Sequence, residues 1–144
     1  MPADPLSQLV AILETSPAMY VADSGIWSYP GDEDLKLALA DIVGDQRNVA
    51  ERAAALLAER EVAPSQTGYP LSYTAWHDLN LVYLVPRLIE GMRRQVAAID
   101  ALTASRPDDA AVVELAGEAK ATTLGHIDVL EQHASRLRHV SSPA

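Results

Sequence analysis

The stretch "LKLALADIVGDQRNVAERAAALLAER", residues 35–60, decides the fold. Leu35, Leu39, Ile42, Gln46, Val49, Ala53 and Leu56 follow one another at steps of four and three, the seam of a helix packed in a bundle. One member of that seam, Gln46, is polar. Asp32, Glu33 and Asp34 stand in the first turn, where the helix dipole favours negative charge, and Pro30 and Gly31 supply the turn before them. A helix is therefore expected over about 31–60.

Upstream, Leu6, Leu9, Val10, Leu13, Met19 and Tyr20 keep a helical rhythm over about 5–28, which Pro17 should bend or break. Downstream, "EVAPSQTGYPLS" (61–72) is a linker. Its ten to twelve residues reach just under ~40 Å. That suffices for a crossover along a short bundle and exceeds what a hairpin needs. A third helix is expected over about 73–104, with Asp78, Leu81, Val85, Leu88, Met92, Val96, Ile99 and Leu102 inward and a kink at Pro86. After the break "SRPDD" (105–109), a fourth runs over about 108–138. Its inner face reads Val113, Ala116, Ala119, Thr123, His126 or Ile127, Leu130, Ala134 and Leu137. The reading is all-α: one domain over 1–144, a four-helix bundle.

Composition narrows the function classes. The 144 residues carry a net charge of -9, from 20 acidic and 11 basic side chains, and the one basic cluster, Arg87, Arg93 and Arg94, is small. Such a field repels a polyanion, so no nucleic-acid partner is expected. No apolar run approaches the roughly eighteen residues of a membrane span, and no basic region followed by an apolar core opens the chain. A soluble, cytoplasmic protein is expected. With no cysteine, any metal must be held by His, Asp or Glu.

Counting along the helices from their ends brings Glu14, Gln46, Thr123 and His126 to similar height. They are expected to form one polar layer at mid-bundle, its members satisfying one another.

At this point the chain resembles the ferritin-like superfamily, the rubrerythrin and bacterioferritin types included. "DQRNVAERAAALLAER" (45–60) looks like their second helix and "TTLGHIDVLEQHASRL" (122–137) like their fourth. The resemblance implies a carboxylate on helices one and three and a Glu-x-x-His pair on helices two and four, around two irons. Carried over, Glu14 stands for the first carboxylate, but the helix-two pair reads Gln46 and Val49, and the helix-four pair Thr123 and His126. Glu90 lies about 140° around its helix from Val85 and should face solvent. One carboxylate and one histidine cannot balance two metal ions. The expectation is thus a degenerate di-iron motif, with no cofactor, in a binding or interaction protein that forms a homodimer. The alternative is a metal-dependent oxidase or ferroxidase that binds Fe or another divalent ion through Glu14, His126 and further ligands.

A second candidate metal group is His77, Asp78 and His133, expected near one bundle end with Glu131 or Asp128 close by; the plainer reading gives His77 a structural hydrogen bond there. Trp27, Tyr29, Tyr69, Tyr73, Trp76 and Tyr83 flank the proline-bearing turns and either line a ligand pocket or seal helix ends. Gly44, Gly91, Gly117 and Gly125 fall inside expected helices, where each costs roughly 1 kcal/mol relative to Ala, so close helix contacts are expected at them.

Overall fold

A computed structural model describes residues 4–24, 33–63, 68–78 and 81–141. All of its regular structure is helical: α1 (Pro5–Glu14), α2 (Pro17–Ser24), α3 (Glu33–Glu59), a 3-10 helix (Leu71–Asp78), α4 (Leu81–Ser105) and α5 (Ala110–Ser141), with no strand among the described residues. The expected first helix is two. Thr15 caps the end of one and Ser16 starts the next: Ser16 Oγ accepts from the Met19 amide at 3.2 Å, as an N-cap does, and Pro17 occupies the first helical position, where its missing N–H costs nothing. Trp27 and Tyr29 lie outside the described residues.

The expected third helix is also divided. Residues 71–78 form the 3-10 helix, α4 begins only at Leu81, and Pro86 falls in its second turn instead of mid-helix. Three further boundaries close with standard caps. Asp4 Oδ1 accepts from the Leu6 amide at 2.8 Å, and Asp109 Oδ1 from the Val112 amide at 3.2 Å. At the end of α3, Val62 N–H reaches the Leu57 carbonyl and Glu61 N–H that of Ala58, the double bond of a Schellman motif. Glu61 takes the left-handed conformation (φ 57°) that the motif requires and that glycine usually fills.

α3 packs on α1, α2 and α5, and α4 packs on the same three, while α3 and α4 barely meet. Arg60, just past α3, pairs with Asp4 before α1 and with Asp109 before α5. The start of α1, the end of α3, the end of α4 and the start of α5 therefore gather at one end, and α3 and α4 run in the same direction. The link between them must return along the molecule, and its described parts pass over α1 and α2. Val62 packs with the cluster that includes Ile12, and Tyr69, Tyr73 and Trp76 pack around Tyr20.

Seams are built much as the periodicity dictates, with three shifts. α3 closes its seam through Leu57, the partner of Val62 in the Schellman motif, and leaves Leu56 half-buried. On α5 the buried residues are Val112 and Ile127, while Val113 is exposed and His126 half-buried. On α4, Gln95 is buried and Val96 only partly so. Of the four helix-interior glycines, only Gly91 has a close neighbour: a Cβ there would stand 2.5 Å from Pro17 Cγ. At Gly44, Gly117 and Gly125 a Cβ would meet nothing within 4 Å among the described residues. No helix among the described residues is long and apolar enough to cross a membrane.

Candidate functional site: a polar layer between two cores

The apolar interior is split. One cluster gathers residues such as Met19, Leu39, Leu88, Met92 and Leu130; the other gathers Leu9, Leu13, Ala53, Ile99 and Ala116. In each helical run the step from one cluster to the other falls on a buried polar side chain: Ser16 between α1 and α2, Gln46 on α3, Gln95 on α4 and Thr123 on α5. Only one other buried polar residue, Ser7, is found among the described residues.

Three of the four are joined in a chain of bonds. Ser16 Oγ donates to Gln46 Oε1 at 2.5 Å, and Gln46 Nε2 donates to Gln95 Oε1 at 3.2 Å. Ser16 is thereby used twice, since its oxygen also caps α2. Two buried atoms at this level have no partner among the described residues, Gln95 Nε2 and Thr123 Oγ1. Burying such groups unpaired costs roughly 1–3 kcal/mol each, so the layer is held at the expense of stability.

The four residues expected in the layer are placed differently from one another. Gln46 and Thr123 are buried in it. Glu14 is exposed on the α1–α3 side, lining an open groove of about 470 Å³ with Arg47, Glu51 and Tyr69. His126 sits on the α3–α5 seam, its Nε2 2.6 Å from Asp45 Oδ2. Glu14 and His126 thus flank α3 on opposite sides and share no site. The reason is angular: Thr123 holds the core-facing position on α5, and His126 three residues on is turned toward the α3 flank. Ser16 and Gln95 take the two places, and neither carries a carboxylate.

His133 is half-buried with Nδ1 2.6 Å from Arg136 Nη2, a neighbour on its own helix. The side chains of His77 and Asp78 lie outside the described residues, so that group is not assembled here. Among the described residues no three His, Asp or Glu side chains converge in a way that could hold a metal ion.

Charged rungs flank the layer along the surface. Arg52 pairs with Glu118 at 2.6 Å and Lys120 with Asp100 at 2.8 Å; Arg93 pairs with Glu131. At the end of the bundle the Arg60 guanidinium holds the Asp109 carboxyl below the usual carboxylate range, and the cap bond from Val112 adds to that. Four aromatic side chains form one cluster: Tyr73 stacks on Trp76 at 4.2 Å, and Tyr20 meets Tyr69, Tyr73 and Trp76 at 5.1, 5.3 and 5.9 Å. It fastens the 3-10 helix to α2, and Tyr69 and Tyr73 each also line an open groove. Tyr83 is exposed on α4. Burial pushes the Tyr73 phenol up, opposed by the positive charge of Arg94.

In comparison with known proteins, no family model, no curated protein and no solved structure matches the chain.

Proposed function

We propose that this chain is a ferritin-like four-helix bundle in which a neutral hydrogen-bonded layer stands where a di-iron centre would, and that it works as a binding or interaction protein, as a homodimer. The observation that carries the reading is the donor set of the layer: one hydroxyl, two carboxamides and a second hydroxyl, drawn from the α1–α2 junction, α3, α4 and α5. Two irons need several anionic oxygens, and neutral amides and alcohols supply none. The parallel course of α3 and α4, with a returning link between them, fits the crossover connection of such bundles. A homodimer accounts for Gly44, Gly117 and Gly125, mid-helix glycines with open space over each Cα.

The test is elemental analysis of the full chain after incubation with Fe(II), Mn(II) and Zn(II) and removal of unbound ion, beside its mass in solution. Substoichiometric metal and a dimeric mass are expected. Stoichiometric metal that disappears in His126→Ala would overturn the degenerate-site reading, and a monomeric mass at all concentrations would overturn the dimer.

A further inference from the structure

The outer face of α5 carries a row of residues at steps of four that reads the same in both directions: Val113, Gly117, Ala121, Gly125, Val129. All of them are exposed. Leu124, beside Gly125, is exposed too, so α5 holds three of the six large apolar side chains left in the open among the described residues. A Cβ on Gly117 or Gly125 would meet nothing within 4 Å among those residues, and each glycine weakens its helix by roughly 1 kcal/mol relative to Ala. Within one chain, neither the apolar side chains nor the glycines of this face have a use.

A row with this symmetry is its own complement. Turning a second α5 antiparallel about a two-fold axis through Ala121 sets Gly117 against Gly125 and Ala121 against its own copy. Rows at i, i+4 are the ridges along which helices cross, and the three central members here have almost no side chain. Two such backbones can therefore close to the lower end of helix spacing, about 8 Å. The same rotation brings Glu114 of one copy level with Asp128 of the other, and a cation stands beside them. Arg52 and Glu114 line one groove between α3 and α5, which opens at the Val113 end of the row. Arg52 spends only Nη1, on Asn48 and Glu118, and Asp128 makes no hydrogen bond or ion pair among the described residues. The unpaired acid of one copy thus meets the unspent guanidinium nitrogen of the other.

We propose that the outer face of α5 docks a second copy of this chain, the two helices crossing antiparallel at Ala121 with Asp128 of each copy facing Arg52 of the other. The inference rests on the homodimer proposed above and gives it a surface and an axis. A dimer joined through another face would sink this inference and leave the homodimer standing, whereas a monomeric mass at all concentrations would sink both.

The experiment is sedimentation equilibrium of the full chain from about 1 µM to about 1 mM, which covers dimers of micromolar to millimolar Kd. Gly125→Leu fills the crossing while replacing a poor helix former with a good one, so the fold is kept and association is expected to weaken about tenfold or more. Arg52→Gln should weaken it about threefold, and Leu37→Glu, at an exposed position on α3, should leave it unchanged. Since the chain has no cysteine, Ala121→Cys tests the axis directly. Mild oxidation should link two copies, because residues on a two-fold crossing come within the Cα separation of about 4.4–6.8 Å that a disulfide spans. Val113→Cys should not link, its two copies standing about 24 Å apart along the helices. The proposal is overturned by association unchanged in Gly125→Leu or Arg52→Gln, by association lost in Leu37→Glu, or by Val113→Cys linking as readily as Ala121→Cys.

Discussion

The carboxamides of Gln46 and Gln95 meet at 3.2 Å in the middle of the molecule, joining two helices that otherwise barely touch. Both side chains are buried, so each depends on the other in a way an exposed pair would not. Gln46→Leu leaves the Gln95 carbonyl without its donor and the Ser16 hydroxyl without its acceptor, and a loss of about 1–3 kcal/mol is expected. Gln46→Leu with Gln95→Leu removes the stranded Gln95 carbonyl, though the Ser16 hydroxyl still lacks its acceptor, so the double variant should cost clearly less than the sum of the two single costs. Urea unfolding of the four proteins closes the cycle; single costs that simply add would refute direct coupling.

Glycine positions divide by what surrounds them. Gly91→Ala drives a Cβ to 2.5 Å from the rigid Pro17 ring, so α4 must move off the α1–α2 junction, at an expected cost of about 1–3 kcal/mol. Gly117→Ala has open space and should gain about 0.5–1 kcal/mol in the isolated chain. Glu61→Gly relieves a left-handed non-glycine residue and should gain about 1 kcal/mol. Thermal melts of the three variants check the signs, and a neutral Gly91→Ala would refute the contact.

Arg60 ties three helix ends together, and the pH dependence of that tie has a definite sign. Because the folded state holds Asp109 below its ordinary value, the contribution is complete above the unfolded carboxylate range near pH 4 and fades as pH falls through the folded value. Arg60→Met is expected to cost about 1 kcal/mol at neutral pH, a modest figure because the pairs are partly solvated. Its stability curve should converge on that of the parent in acid. Curves that stay parallel from pH 7 to pH 2 would show that the ion pairs contribute nothing.

Tyr73 acts at the other end of the pH scale. Its phenol is raised by burial, so stability present below about pH 10, the ordinary tyrosine value, is lost as pH rises toward the higher folded value. Tyr73→Phe keeps the stacked ring and removes the titration. It should therefore gain on the parent above pH 10, and chemical denaturation at pH 8 and at pH 11 reads the difference.

The helical architecture was legible because α3 repeats at steps of four and three without interruption, and Gln46 was legible as its one polar member. Gln95 was legible by the same arithmetic, since Val85, Leu88, Met92, Gln95, Ile99 and Leu102 alternate steps of three and four. Preference for the apolar Val96 over the correctly spaced Gln95 hid it. Ser16 was hidden differently: beside Pro17 it reads as a helix cap, and its hydrogen bond to a residue thirty positions away follows only from packing. Counting along the helices fixes the height of Glu14 and His126 but not their direction: the helix phases turn Glu14 to solvent and His126 to the α3 flank. The Asp45–His126 pair depends on how helices face each other, which periodicity within one helix does not encode.

The returning link has a consequence for how the chain recognises itself. The helices α1 to α3 form one packed group, carrying Ser16 and Gln46, and the hairpin of α4 and α5 the other, carrying Gln95 and Thr123. Neither group alone can satisfy the amide it would bury at its open face. A chain severed between them would yield two fragments that each carry half of one hydrogen bond, and whose association is selected by that mutual need in addition to apolar contact.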